Sequence, residues 1–326
     1  MRIDVRTGSR LHFGLICSGD GRPWNYGGVG LMIRQPGWTL HARPAHGPAD
    51  IVHAGDEVAR RIAAVRSALT DETNPRGIEF TISQEPPRHA GLGSGTQLAL
   101  AVAAATQRLH GRPATDLNSA QQVGRARRSA IGSAGFLFGG FLADRGLDRD
   151  GQRLPVDRRA VPEQWRFVVV RPTRGHGLNG ADETAYFQQR RQMPEELVAR
   201  LVLVVEDQLI PAITAMDCAA FASALECYGR LAGEFYAAEQ GGVFAHPTIR
   251  ALAGHLRRLG IPGLAQSSWG PAACIPVASP AAAQELMAQI PGELGGDTLL
   301  SLVAEPMNCG ALITSPAPAD STAPRA

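Results

Sequence analysis

PPRHAGLGSGTQLALAVAAATQRLHG, residues 86–111, sets three glycines, a serine and a threonine directly ahead of a long apolar run. Pro86 and Pro87 close the alternating segment GIEFTISQ, which reads as a strand. Gly91, Gly93 and Gly95, with Ser94 and Thr96 between and after them, then open a helix expected over residues 97–110. A dinucleotide fingerprint, G-x-G-x-x-G, would need glycine where Thr96 stands, and it turns straight from strand to helix without intervening prolines. What remains is a glycine loop at a helix N-terminus, where free backbone N–H groups and the positive end of the helix dipole make an anion site. Glycines permit close backbone approach, and Ser94 or Thr96 can donate to phosphate or ligate Mg²⁺. The plainer alternative is a tight turn whose glycines serve only positive φ.

Composition narrows the chemistry. The 32 positive residues are all arginine, for the sequence contains no lysine. A Walker P-loop, which needs its lysine on the phosphates, and Schiff-base catalysis are therefore both excluded. Arginine remains, and it grips phosphate and carboxylate bidentately. A chain of 326 residues exceeds what one hydrophobic core usually serves, so two lobes are expected, and 44% hydrophobic residues suit a packed globular protein. A net charge of +2 gives no case for nucleic-acid binding. No run approaches the ~18 apolar residues of a membrane span, and the opening MRIDVRTGSRLHFG alternates like a strand rather than a signal peptide. Five cysteines without a CxxC pair suggest reduced thiols, hence a cytoplasmic protein without a disulfide framework or zinc site.

Along the chain, residues 2–7 and RLHFGLI read as strands, SGDGRPWNYGGVGLMI as a glycine-rich turn region, and WTLHARPA as a further strand. Residues 56–69 form an amphipathic helix, and a helix capped near Thr115 or Asp116 is expected to run through LNSAQQVGRARRSA. Residues 144–159, charged and glycine-rich, look like a connection between lobes. WRFVVVRP is a buried strand followed by the loop TRGHGLNGADE. Helices are expected over 195–216, 218–239, 247–259 and 280–289, with strands in GLAQSSWGPAACIPVA and TLLSLVAEP. Strands and helices in this mixture indicate an α+β fold. The expected division is an N-terminal lobe over 1–150 carrying the glycine loop, a C-terminal lobe over 160–315, and a disordered Pro/Ala-rich tail over 316–326.

PPRHAGLGSGTQ resembles the phosphate loop P-x-x-x-G-L-G-S-S-A of the GHMP kinase superfamily, TGSRLHFG stands where that superfamily has its first motif, and GLAQSSWGPAACIPV where it has its third. The order and span of the three, about residues 5–278, resemble a whole two-lobed GHMP fold, with a ribosomal protein S5 domain 2-like N-terminal lobe and a ferredoxin-like α/β C-terminal lobe. Within the superfamily, SRLHFGL…YGGVGLMI, HAGLGSGTQLALAVA, GRARRSAIGSAGFLFGGFLADRG and QSSWGP are similar to the β-ribofuranosylaminobenzene 5′-phosphate (β-RFAP) synthase family. The resemblance implies a Mg²⁺-dependent enzyme of tetrahydromethanopterin biosynthesis that joins phosphoribosyl pyrophosphate (PRPP) to 4-aminobenzoate or 4-hydroxybenzoate, releasing CO₂ and pyrophosphate. It also implies a homodimer.

On that resemblance Gly91, Gly93, Ser94, Gly95 and Thr96 cradle pyrophosphate, and Ser267, Ser268 and Gly270 of QSSWGP close over it. Arg10 and His12, at the end of the first strand pair, reach the same anions; a surface ion pair and a satisfied core histidine are the alternatives. Arg125 and Arg128, three apart on the expected helix, share a face and suit the 5′-phosphate or the aromatic carboxylate, unless that face is merely solvated. Arg10, His12 and Arg128 are the catalytic candidates. His89, just before the loop, polarises a phosphate oxygen or is a turn residue. Arg174 and His176 follow a buried strand, where ligand-contacting loops commonly lie. Trp269 stacks on the aromatic ring or belongs to the core, and Asn25, Tyr26, Gly27 and Gly28 form a wall of the acceptor pocket.

Two departures matter. SAIGSAGFLFGG has no acidic residue where many GHMP kinases carry an aspartate base, and QLALAVAAATQRLH offers no carboxylate to Mg²⁺. The metal ligands are thus unassigned, with Asp182 and Glu183 as possible helpers of an ion carried on pyrophosphate. An ATP-dependent small-molecule kinase on the same fold is the second reading, and a non-catalytic ligand sensor the third.

Overall fold

The computed structural model describes residues 1–315 except 20–21, 70–75, 114–116, 127 and 175–191; of residues 117–119 it describes the backbone. His176, Asp182, Glu183, the cap near Thr115 and the tail 316–326 lie outside the described residues.

Among the described residues three antiparallel-rich sheets carry the fold. The first has the order β14-β1-β4-β6-β5, from Leu312–Thr314, Ile3–Arg6, Thr39–Pro44, Ile78–Gln84 and Ile51–His53. The second, β2-β3-β7-β8, is built from Ser9–Ile16, Gly27–Ile33, Phe141–Asp144 and Val156–Arg159. The third, β10-β11-β9-β13-β12, comprises Ala265–Gln266, Ala273–Val277, Arg166–Pro172, Asp297–Ala304 and Glu293–Leu294. Strand β14 pairs with β1, Val5 opposite Ile313, so the chain's last strand lies beside its first.

Helices cover these sheets. Against the first lie α1 (Asp56–Ala68) and α2 (Ser94–Leu109). Helix α2 is buried from Gln97 through Thr106, because its alanines allow it to lie close against Val5, Leu40 and Phe80. The next helices are α3 (Leu117–Gln122) and α4 (Ile131–Phe138). Then α5 (Glu195–Leu203) continues through a π-helical stretch, Val204–Leu209, into α6 (Ile210–Thr214), ahead of α7 (Cys218–Phe235) and the single turn α8 (Ala237–Gln240). Helices α9 (Pro247–Arg258) and α10 (Pro280–Gln289) follow. Phe167 and Val169 of β9 face the core that contains α7, while Val168 and Val170 face α9 and α10. A strand covered on both faces is apolar throughout, which is why WRFVVVRP lacks alternation.

Three expectations fail locally, each for a physical reason. Residues 27–33 are not a turn but a fully buried strand, in which Gly30 lets neighbours close in: a Cβ there would stand 2.4 Å from the Leu11 carbonyl oxygen and 2.6 Å from Ile131 Cγ2. The helix expected through GRARRSA stops at Gln122, because Gly124 and Ala126 take left-handed φ of 71° and 58°. Residues 144–159 are not merely a connection, for β7 and β8 pair across them, with Asp144 opposite Val156.

Candidate active site

The three sequence motifs converge at one place. Arg10 N–H donates to the Leu92 carbonyl (2.9 Å), and the Ser267 hydroxyl donates to the Gly91 carbonyl (2.7 Å) while accepting from His12 N–H (3.1 Å). Ser268 N–H donates to the His12 carbonyl, and Ala272 N–H to Ala90. Gly91 (φ 79°) and Gly93 (φ 66°) are needed here. A Cβ on Gly91 would lie 2.4 Å from the Ser267 carbonyl oxygen, and one on Gly93 2.7 Å from Arg10 Nε. Gly93 caps α2, its carbonyl accepting from Thr96 and Gln97 N–H, so the first-turn N–H groups of Ser94 and Gly95 are the orphans of a helix start.

A cavity of about 510 Å³ opens beside this junction. Its lining has a basic and polar part, Arg10, His12, Thr96, Arg125, Arg128 and Ser129, and an uncharged part from α7, α8 and the QSSWGP turn, Gly229, Ala232, Tyr236, Gln240, Val243, Gln266, Ser268 and Trp269. Strand β2 bulges between His12 and Leu15, exposing carbonyls that accept from the Tyr228 hydroxyl (Gly14, 3.2 Å) and the Tyr236 hydroxyl (Leu15, 2.8 Å). Tyr236 and Trp269 meet edge to face with ring centres 5.0 Å apart. Arg10 and Arg125 flank the loop, a Cβ on Gly95 being 3.9 Å from Arg125 Nη2, whereas Arg128 lies within electrostatic reach of the Cys17 thiol, which contacts Tyr236.

His12 is buried and its imidazole hydrogen-bonds the Ser129 hydroxyl (Nε2, 3.3 Å). Burial, reinforced by the charge of Arg10, holds its pKa well below the usual histidine range, so His12 is neutral at pH 7. The loop that carries Arg128 and Ser129 is fixed from beneath. Asp144, fully buried, accepts from Ala130 N–H (2.6 Å) and Gly146 N–H (2.9 Å) and takes Arg153 Nη1 on both oxygens (2.9 and 2.8 Å). Arg153 Nη2 in turn donates to the Arg128 carbonyl (2.8 Å). Sequence reasoning missed this pair, whose residues it read as part of a charged connection; it also missed Tyr236, Gln240 and Gln266.

Arg10, His12, Thr96, Arg125, Arg128, Ser268 and Trp269 share the cavity, and Gly91, Gly93, Ser94, Gly95, Ser267 and Gly270 form the junction behind it. Other candidates lie elsewhere. Gly27 and Gly28 pair with Ile16 and Leu15, and a Cβ on Gly28 would lie 2.4 Å from the Gly14 carbonyl oxygen, so these glycines serve sheet contact. Asn25 bridges to Leu147, and Tyr26 packs against the core. His89 faces Glu57 (3.5 Å), and Arg174 binds Asp297 and Gly296 where β9 ends and β13 begins.

Among the described residues no group of three His, Cys, Asp or Glu can hold a metal ion, and the described lining of the cavity contains no carboxylate. Three guanidiniums with hydroxyls and amides do not fit a protein-held Mg²⁺, which seeks carboxylate oxygens. They fit a polyanion. No helix among the described residues is long and apolar enough to cross a membrane.

Comparison with known proteins bears on family and fold. Residues 58–140 match the GHMP kinases N terminal domain family. The chain is 29% identical over 299 residues to the β-ribofuranosylphenol 5′-phosphate synthase of Methanothermobacter thermautotrophicus, covering 83% of this chain and 88% of that protein. It is 30% identical over 236 residues to the protein of the same name from Archaeoglobus fulgidus, covering 69% and 74%. Homoserine kinase from Cytophaga hutchinsonii superposes with a TM-score of 0.68 at 17% identity, covering 96% of this chain and 97% of that one. Mevalonate pyrophosphate decarboxylase from Streptococcus pyogenes gives 0.65 at 14%, covering 94% and 97%. These likenesses show the fold, α+β and GHMP kinase-like.

Proposed function

Since the chain belongs to the β-ribofuranosylphenol 5′-phosphate synthase family, we propose that it is a decarboxylating phosphoribosyltransferase that joins PRPP to a para-substituted benzoate. The observation that carries this reading is the mixed lining of one cavity: three arginines and a helix N-terminus as one part, an aromatic pair with uncharged side chains as the other. The first suits a polyanion and the second an aromatic ring. The relatives' name speaks of a phenol product, which favours 4-hydroxybenzoate over 4-aminobenzoate as acceptor.

In the reaction, the bond from ribose C1 to pyrophosphate breaks and its electron pair leaves with pyrophosphate. The ring carbon bearing the carboxylate attacks ribose C1. The carbon–carboxylate bond then breaks, CO₂ departs, and its electron pair restores the aromatic ring. No proton need be moved and no side-chain nucleophile is required. The chain's part is to bind and orient. Arg10, Arg125 and the N–H groups of Ser94 and Gly95 hold the leaving pyrophosphate, where developing charge is greatest. Arg128, toward the Tyr236 corner, orients the carboxylate. Neutral His12 offers a hydrogen bond without acting as a base. Mg²⁺, where used, would arrive on the pyrophosphate oxygens. The family resemblance supports a role for this step in tetrahydromethanopterin biosynthesis.

The test is pyrophosphate release by the purified protein with PRPP, Mg²⁺ and 4-hydroxybenzoate or 4-aminobenzoate. Release that requires the acid and is matched by CO₂ is expected. Turnover of ATP on a small alcohol without such release would overturn the proposal in favour of a kinase.

A further inference from the structure

The uncharged part of the cavity lining contains two amides whose orientation is fixed by backbone groups. Gln266 Oε1 accepts from Ala245 N–H (2.6 Å), and its Nε2 donates to the Ser268 carbonyl (2.9 Å) and to Gln240 Oε1 (3.1 Å). Gln240 Nε2 donates to the carbonyls of Val243 (2.9 Å) and Gly233 (3.4 Å). Backbone N–H and C=O groups thus decide which end of each amide is oxygen. Both N–H donors of each side chain are spent within the protein. What each amide retains for a ligand is acceptor capacity on Oε1, which has two lone pairs. Both residues line the cavity, next to the Tyr236–Trp269 pair.

We infer that Gln240 Oε1, braced by Gln266, accepts a hydrogen bond from the para substituent of the aromatic acid and so selects hydroxyl or amino groups that can donate one. The inference rests on the transferase reading above and adds a specificity determinant to it. The contact also bears on rate. When ribose C1 bonds to the ring carbon bearing the carboxylate, the ring loses electron density, and conjugation places positive charge on the para oxygen or nitrogen. Its O–H or N–H becomes a stronger donor at that moment, so the bond to Gln240 tightens in the transition state more than in the ground state. The charge is cancelled when the electron pair of the departing CO₂ enters the ring, and the para proton stays where it was.

The alternative is that the amide pair only braces the turn over residues 240–245, in which case the substituent would not feel it. Two matched pairs of acids separate these outcomes: 4-hydroxybenzoate against 4-methoxybenzoate, and 4-aminobenzoate against 4-(dimethylamino)benzoate. Methylation keeps the ring electron-rich and removes the donor. With the natural enzyme, kcat/KM for pyrophosphate release is expected to fall about 100-fold or more on methylation, as for sites built to bond a substrate OH or NH. Gln240→Met keeps the volume, so rejection on size would survive the substitution, whereas rejection for want of a donor would not. Both ratios are expected to shrink below about tenfold in this variant through loss of the hydroxyl and amino acids' advantage, with KM for PRPP unchanged. Methylated acids turned over within about fivefold of their parents by the natural enzyme would overturn the inference alone, and that comparison needs no variant. So would unchanged ratios in a folded Gln240→Met protein. No pyrophosphate release with any of the four acids would overturn the transferase reading and the inference together.

Discussion

Replacing Asp144 by asparagine changes one oxygen to a nitrogen at a point that water does not reach. The carboxylate takes four bonds, from two backbone N–H groups and twice from Arg153 Nη1. An amide in its place turns NH₂ toward at least one of these donors and leaves the guanidinium, whose side chain is 11% exposed, without its counter-charge. Breaking a buried pair by removing one partner typically costs about 3–5 kcal/mol. Against a total stability on the order of 5–15 kcal/mol, that is a large fraction, yet a folded state survives. With a urea slope near 3 kcal/mol/M, Asp144→Asn should lower the unfolding midpoint by about 1–1.7 M. Arg153→Met combined with Asp144→Asn removes the orphaned charge, so the double variant should be clearly more stable than the sum of the two single losses predicts. The single variant should also raise KM for the aromatic acid, because Arg128 and Ser129 ride on the loop that Arg153 and the Asp144–Ala130 bond hold. Equilibrium urea unfolding by circular dichroism, with initial rates on the same samples, measures both. A midpoint shift under about 0.3 M, or strict additivity, would refute the view of this pair as the support of the arginine loop.

Two further outcomes are expected. His12 in the unfolded chain takes up a proton as pH falls through about 6.5, while burial and then Arg10 keep the folded form neutral to well below that pH. The unfolded state therefore binds more protons in this window, and stability is lost as pH falls below about 6.5, by at most about 1.4 kcal/mol per pH unit from this group. His12→Gln should flatten that loss between pH 7 and 5 in urea midpoints; equal slopes in both proteins would count against the neutral histidine. Gly93→Ala should raise KM for PRPP about tenfold by pushing Arg10 aside, since the new Cβ would meet Arg10 Nε at 2.7 Å. Gly111→Ala, with similar φ (72°) but nothing within 4 Å, should lose stability with no change in KM, and equal kinetic effects in the two would show backbone strain alone at work.

The glycine loop, the helix behind it and the covered strand at 166–172 were legible because each has a local cause: special φ, an alanine-rich run, an apolar run without polar alternation. Arg125 and Arg128 were expected on one helix face, yet they reach the cavity from an irregular loop. Left-handed backbone at Gly124 and Ala126, the latter a residue that seldom adopts it, ended the helix instead. Residues 27–33 were misread because glycine usually marks turns, and nothing local announces that α4 needs the space above Gly30. Asp144 and Arg153 looked like surface charge, since their burial depends on β3, β7 and the 126–130 loop together. Gln240 and Gln266 had no signal at all: a fixed amide is visible only once its backbone partners are in place.

The meeting of Arg10, Leu92 and Ser267 also sets a timetable for synthesis. As the chain leaves the ribosome, the first motif emerges some eighty residues before the glycine loop, but Ser267 of the turn that seals them lies 176 residues beyond Gly91. Until residue 270 is free, His12 and Gly91 lack the strap that Ser267 and Ser268 provide, and the edge of the first sheet waits longer still, for Leu312–Thr314. Every nascent fragment short of residue 270 holds an unsealed anion pocket, and every one short of residue 312 leaves the β1 edge unpaired, so the site closes well after the glycine loop has been made.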